Sequence, residues 1–319
     1  MISEALPSRL RVAVVGVGGV GGYFGGRLAQ AGHEVTFVAR GATLAALQTQ
    51  GLRVFSALGD FTVQPARATD DPGHVGEVDA VLVAVKAGQI PHVAHTLNPL
   101  LGPGTAVLPM QNGVEAADQL AAALGEAFVL GGLCRIISAI EAPGVIRHSG
   151  GHPSVTFGEF SGQRSDRVQR LQQAFEAAGV TVDLPTDIRV AIWEKALFVS
   201  SLGAVAAVAR ATIGELRALP ETRALIERAM QEVATVAHAR GVPLPGNAVA
   251  AALAFVDALP AAGTTSLQRD IEAGRPSELD AQLGAIVRLG REAGVPTPVY
   301  DFAWRCLLPQ ERRAQPLSG

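Results

Sequence analysis

The chain has 319 residues, 48% of them hydrophobic and 17% charged, with a net charge of −3. That length suits two domains of ~100–200 residues each, and the apolar content supports a large core and excludes wholesale disorder. No block of Lys or Arg forms the concentrated basic face that nucleic acid or an anionic membrane surface requires.

The start, MISEALPSRLR, carries an early acid and no apolar h-region, so no targeting segment is expected. From residue 10 to 184, short β-branched apolar runs alternate with helical segments. The runs 10–15, 35–39, 80–85, 105–109 and 128–130 read as strands apolar on both faces, the signature of a parallel sheet covered on two sides. Runs 145–148 and 155–157, with Gly150-Gly151 between them, read as an added hairpin. Residues 166–178 form an amphipathic helix, closed by Gly179 before a strand over 180–184.

Beyond Pro185 the strand signals stop and helices follow at 187–209, 221–240, 246–258 and 278–293, punctuated by Gly241, Pro243, Pro260 and Gly294. The uncharged stretch 196–209 is shorter than the ~20 residues of a membrane span and reads as a core helix. The expected fold is therefore α/β: a doubly wound parallel sheet of Rossmann type over 1–185, then an all-helical second domain over 186–319. Cys134 and Cys306 lie far apart with no metal-ligand spacing, so no metal is expected and a reduced, cytosolic protein is the simplest reading.

The first strand runs directly into Gly16-Val17-Gly18-Gly19-Val20-Gly21 and then a helix. In G-x-G-x-x-G the first glycine makes the tight turn, the second admits the pyrophosphate to the backbone, and the third lets helix pack on strand. The helix N-terminus offers its N–H groups to the phosphates. At the end of the second strand, where an acid would hold the ribose 2′-OH of NAD, stands Arg40; Glu34 lies at the wrong end of that strand. A guanidinium there suits the 2′-phosphate of NADP. Gln111-Asn112-Gly113 closes the strand 105–109 at its carboxyl end. An amide there reaches nicotinamide or substrate, or the Asn-Gly pair is merely a turn.

Of 26 basic residues only Lys86 and Lys195 are lysines. Lysine can lose its proton when desolvated and arginine cannot, so both attract attention. At helical spacing Lys195 neighbours Ala191, Ile192, Phe198 and Val199, an apolar stripe that suits a desolvated proton donor. Snorkelling to the surface beside Glu194 is the structural alternative. Ser277 reads as a helix N-cap with Asp280 as its capping-box partner, and Glu278 as an ordinary first-turn acid. His148 and His152 are the rival proton donors.

GVGGVGG, Lys86 in VAVKA, QNG, Trp193-Glu194-Lys195, Gly214-Glu215-Leu216, Thr265-Ser266-Leu267 with Asp270, and Ser277-Glu278-Leu279-Asp280 occur in this order. Together they resemble the ketopantoate reductase (2-dehydropantoate 2-reductase) family across nearly the whole chain. The resemblance implies NADPH-dependent reduction of ketopantoate to pantoate in pantothenate biosynthesis, in a cleft between the two domains. It implies Lys195 as proton donor, Glu278 as the cleft glutamate, Ser266 as a substrate contact, Asn112 as the active-site asparagine and Lys86 as a cofactor contact. Gln111, Asn112 and Glu278 join the cofactor set. The family commonly has asparagines where this chain has Val199, Gly203 and Ile213; Ser200 and Ser201 stand close to the first two, and Ser200 is expected to substitute as a substrate contact. The expected partner is a small 2-oxo acid, or an imine on the same scaffold; a homodimer is left open.

Overall fold

Apolar β-branched runs bury both faces when they lie in a sheet covered on two sides. The computed structural model describes residues 9–314 and contains ten strands in them. They are β1 (Arg11–Val15), β2 (Glu34–Val38), β3 (Leu52–Ser56), β4 (Phe61–Val63), β5 (Arg67–Thr69), β6 (Ala80–Val83), β7 (Ala106–Pro109), β8 (Gly131–Ala142), β9 (Val145–Gly158) and β10 (Thr181–Asp183). Five of them form an all-parallel sheet in the order β5-β2-β1-β6-β7.

In β1 the alternation of side chains divides two cores. Val12 and Val14 pack with Leu28, Phe37 and Leu82, while Ala13 and Val15 pack with Val81, Val83 and Val107. Strand order reverses at β1, and such sheets take ligands at the carboxyl ends of the strands that flank the reversal, here β1 and β6.

The second sheet, in the order β10-β9-β3-β4 with β8 on β9, departs from the expected hairpin. Gly150 and Gly151 do not turn the chain; they lie within the unbroken strand β9, whose antiparallel partner is β8. Gly151 takes φ +74 and the β8–β9 register shifts beside it, between Arg135 and Ser138, so these glycines serve a bulge. The run 128–130 forms no strand either: Glu126–Phe128 is a 3₁₀ turn, and Val129 makes a single bridge to Val107.

Residues to Gln111 together with Ala116–Ile188 form one compact unit; Asn112–Glu115 and the chain from Arg189 form another. Within the first, the Arg167 guanidinium forks onto both oxygens of Glu159 at 2.7 Å and also donates to Thr105 O and Ala127 O. Burial raises the Glu159 carboxyl, but Arg167 and the Ser165 hydroxyl outweigh it and hold the carboxyl below the ordinary glutamate value. This stabilisation is complete above the unfolded-state carboxylate range and is lost in acid, as the pH falls through the depressed value. Glu159→Gln is expected to lower stability by about 2–3 kcal/mol at neutral pH, because it strands a largely buried guanidinium. An unchanged urea midpoint would contradict that.

The second unit is helical. Its long helix Ile188–Ala209 has 22 residues, more than the apolar stretch suggested, and by length and composition it is able to cross a membrane. Here 61% of its most apolar window is buried, with Leu197, Leu202 and Val205 packed against Met230, Val233, Leu283 and Tyr300. Around it pack the helices Ile213–Ala218, Pro220–Ala239, Ala248–Ala258, Ser266–Glu272, Ala285–Glu292 and Pro298–Ala314. The expected capping box at Ser277 is replaced. Glu311 accepts the Ser277 N–H at 3.1 Å, and Asp280 turns instead to Arg288 at 2.9 Å. Ser277 Oγ still caps, accepting from Leu279 N at 3.1 Å.

Candidate functional site

Each loop glycine in the first unit does a separate job. Gly16 has φ +94, and a Cβ on it would stand 2.6 Å from Val85 N, so only glycine permits the turn. At Gly21 a Cβ would lie 2.0 Å from Gly16 O, so the helix Gly19–Gln30 packs directly on the loop. Around Gly18 nothing lies within 4 Å of a Cβ position, and this residue is the helix N-cap without a side-chain cap. The open ground beside uncapped N–H groups fits a dinucleotide pyrophosphate. Val17 is buried in the core and Val20 partly so, which leaves their backbone for a ligand.

Arg40 ends β2's extension, exposed and in no ion pair among the described residues, and it precedes the helix Gly41–Gln50. Glu34 sits at the far end of β2 and pairs with Arg67. Lys86 is exposed just beyond β6. Gln111 is 6% exposed, and its side chain is engaged internally. Its amide donates to Val83 O and Val85 O at 2.9 Å and accepts from Met110 N at 3.0 Å. It braces the carboxyl end of β6.

The second unit gathers the other candidates. Lys195 lies mid-helix in Ile188–Ala209, half-buried, beside the exposed Glu194. Glu278 stands just ahead of a π-helical turn, Asp280–Gly284, a wide turn found often at functional sites. Asn112 Nδ2 donates to Glu278 Oε2 at 3.1 Å, and Gln282 Nε2 reaches the same oxygen at 3.4 Å.

The Asn112–Glu115 segment is held against this turn by close contact and charge. Gly113 has φ +100, and a Cβ on it would lie 2.5 Å from Ala281 O. Arg288 bridges Glu115 at 2.8 Å and Asp280 at 2.9 Å. The sequence alone missed Gln282. Its spacing of four from Glu278 was the available signal, since such pairs share a helix face. Gln282 is 1% exposed, and its Oε1 has no hydrogen-bond partner.

The other candidates make no hydrogen bond to these residues among the described contacts. Ser266 is exposed at the start of its helix, behind the N-cap Thr265. Ser200 is 1% exposed and its Oγ is unpartnered. At about 100° per residue it points about 140° around the helix from Lys195. Ser201 Oγ bonds Tyr300 OH at 3.0 Å, a phenol that burial keeps protonated. The rival histidines are occupied. His148 is 2% exposed and bonded to Ser56 and to the carbonyls of Gly150 and Gly151; His152 bonds Thr181.

Residues 12–162 match the family Ketopantoate reductase PanE/ApbA, and residues 187–311 match Ketopantoate reductase PanE/ApbA C terminal. A 2-dehydropantoate 2-reductase of Mesorhizobium japonicum is 33% identical, over 92% of this chain and 95% of that protein. The crystal structure of 2-dehydropantoate 2-reductase from Geobacter metallireducens superposes with a TM-score of 0.87 at 30% identity, covering 94% of this chain and 99% of that one. A D-mandelate dehydrogenase solved with NADH and anilino(oxo)acetate shares the fold at 21% identity and TM-score 0.86, over 95% and 99% of the two chains. With both halves matched and a relative this similar along nearly its whole length, the chain belongs to the ketopantoate reductase family, a family of oxidoreductases.

Proposed function

We propose that this chain uses NADPH to reduce a small 2-oxo acid to its 2-hydroxy acid, with Lys195 as the proton donor. The cofactor supplies the hydride when bound. The backbone of Gly16, Val17, Gly18, Gly19, Val20 and Gly21 holds its pyrophosphate, Arg40 its 2′-phosphate, and Lys86 a further anionic part. Lys195 gives its proton to the carbonyl oxygen as charge develops there, and its apolar surroundings sharpen that interaction. Glu278, held by Asn112 and Gln282, fixes the substrate's orientation, and Ser266 takes part in holding its carboxylate. The name of the Mesorhizobium japonicum relative makes 2-dehydropantoate, reduced to pantoate in pantothenate biosynthesis, the first substrate to test.

The observation that carries this reading is Lys195 itself, a lysine kept on an apolar helix face in a chain whose other basic residues, Lys86 apart, are arginines. The purified chain mixed with NADPH and 2-dehydropantoate or a simpler 2-oxo acid is expected to oxidise the cofactor. NADPH binding with no turnover of any 2-oxo acid is the behaviour of a dinucleotide-sensing module and would overturn the proposal. Gln282→Leu removes one donor to a carboxylate, worth about 1.5 kcal/mol, so kcat/KM is expected to fall about tenfold. An unchanged kcat/KM in a normally folded variant would remove Gln282 from this role.

A further inference from the structure

The helix face that carries Lys195 restricts what can lie beside the reacting carbonyl. One turn towards the N-terminus stand Ala191 and Ile192, and one turn towards the C-terminus Phe198 and Val199; none has a polar side-chain atom. Phe198 meets Phe255 of the helix Ala248–Ala258 edge-to-face, with centroids 4.7 Å apart and planes at 80°. Phe255 is 51% exposed, a large aromatic surface that the core does not use. Farther along, Gly203 contributes no side chain, and a Cβ there would meet Leu267 at 3.4 Å.

Glu278 and Ser266 are assigned above to the substrate's common 2-oxo acid end, and the remaining hydroxyls and amides are directed elsewhere. Ser200 and Ser201 are 1% and 0% exposed and point away from the Lys195 face, and Ser201 is bonded to Tyr300. The amides of Asn112 and Gln282 are engaged with Glu278. Gln282 Oε1 lies 3.6 Å from a Cβ position at Gly203, but with the residue 1% exposed it faces protein.

We infer that the chain's preferred substrates are 2-oxo acids whose side chain is apolar, branched or aromatic, received by Val199 and the Phe198–Phe255 pair, with no hydroxyl of that side chain recognised. This rests on the reductase reading above and narrows its substrate class. The physical discriminator is an asymmetry. A site built to hydrogen-bond a substrate hydroxyl rejects the analogue lacking it by ~10⁴-fold or more, whereas an apolar site accepts that analogue fully.

The test compares 2-dehydropantoate with 3,3-dimethyl-2-oxobutanoate, the same skeleton without its hydroxyl, and phenylpyruvate with pyruvate. Both pairs are run on the unaltered chain and on Phe255→Ala, a substitution at a half-exposed position. The expected results are a kcat/KM for the deoxy analogue at least equal to that for 2-dehydropantoate, and phenylpyruvate preferred to pyruvate by about tenfold. Phe255→Ala is expected to remove most of that preference through a raised KM for phenylpyruvate. Loss of the deoxy analogue by ~10²-fold or more, or an unaltered phenylpyruvate preference in Phe255→Ala, overturns the inference while the reductase reading stands. If Phe255→Ala does not fold, the unaltered chain's preferences decide alone. No oxidation with any of the four acids overturns both.

Discussion

Lys195→Ala is expected to lower kcat by ~10²–10⁴-fold, the usual contribution of a positioned general acid, while NADPH binds as before. The two effects separate because Lys195 belongs to the helical unit and the glycine loop to the other. Alanine is the best helix former, so the half-buried position tolerates it and the loss reads as chemistry, not as unfolding. Lys195→Arg sharpens the result. It keeps the charge and much of the stem, yet a guanidinium holds its proton across the working pH range, so it is expected to be nearly as slow as alanine. Steady-state kcat and a direct NADPH titration check both. Near-normal turnover in either variant would remove Lys195 from the mechanism.

Arg40→Ala is expected to erase the proposed preference for NADPH. A fork of two charge-assisted hydrogen bonds to a phosphate is worth about 3 kcal/mol, so kcat/KM for NADPH is expected to fall ~10²-fold while that for NADH stays unchanged. The argument rests on two observations: Arg40 is exposed without an ion-pair partner among the described residues, and Glu34, β2's own acid, is tied to Arg67 at the far end of the strand. If Arg40→Ala changes both cofactors equally, the 2′-phosphate is read elsewhere; if it changes neither, Arg40 is an ordinary surface arginine.

Features set by local pattern were legible in the sequence. The strands β1, β6 and β7 are buried on both faces, and their apolar runs announce it. The glycine loop was legible because Gly16 and Gly21 meet backbone constraints that no other residue satisfies. β3 and β8 escaped notice because outward residues interrupt their runs, as Arg53 and Arg135 do. Gly150-Gly151 misled because a bulge within a strand and a turn between strands call for the same residue type.

Partners distant in sequence account for the rest. Glu311, 34 residues on, displaced Asp280 from the expected capping box, and Arg288 then claimed Asp280. Asn112 meets Glu278 across 166 residues, a contact that no window of sequence displays. Lys195 drew attention for a compositional reason: in a chain so rich in arginine, a retained lysine on an apolar stripe is the residue to test as the proton donor.

The most direct measurement of the account uses NADPH deuterated at C4 of the nicotinamide ring, incubated with the chain and a 2-oxo acid, with the product read by mass spectrometry. Direct hydride transfer predicts a 2-hydroxy acid carrying one deuterium at C2 when the label sits on the transferred face, and none from the opposite face. A product without deuterium from either labelled cofactor, or no product from a chain that binds NADPH, would contradict it.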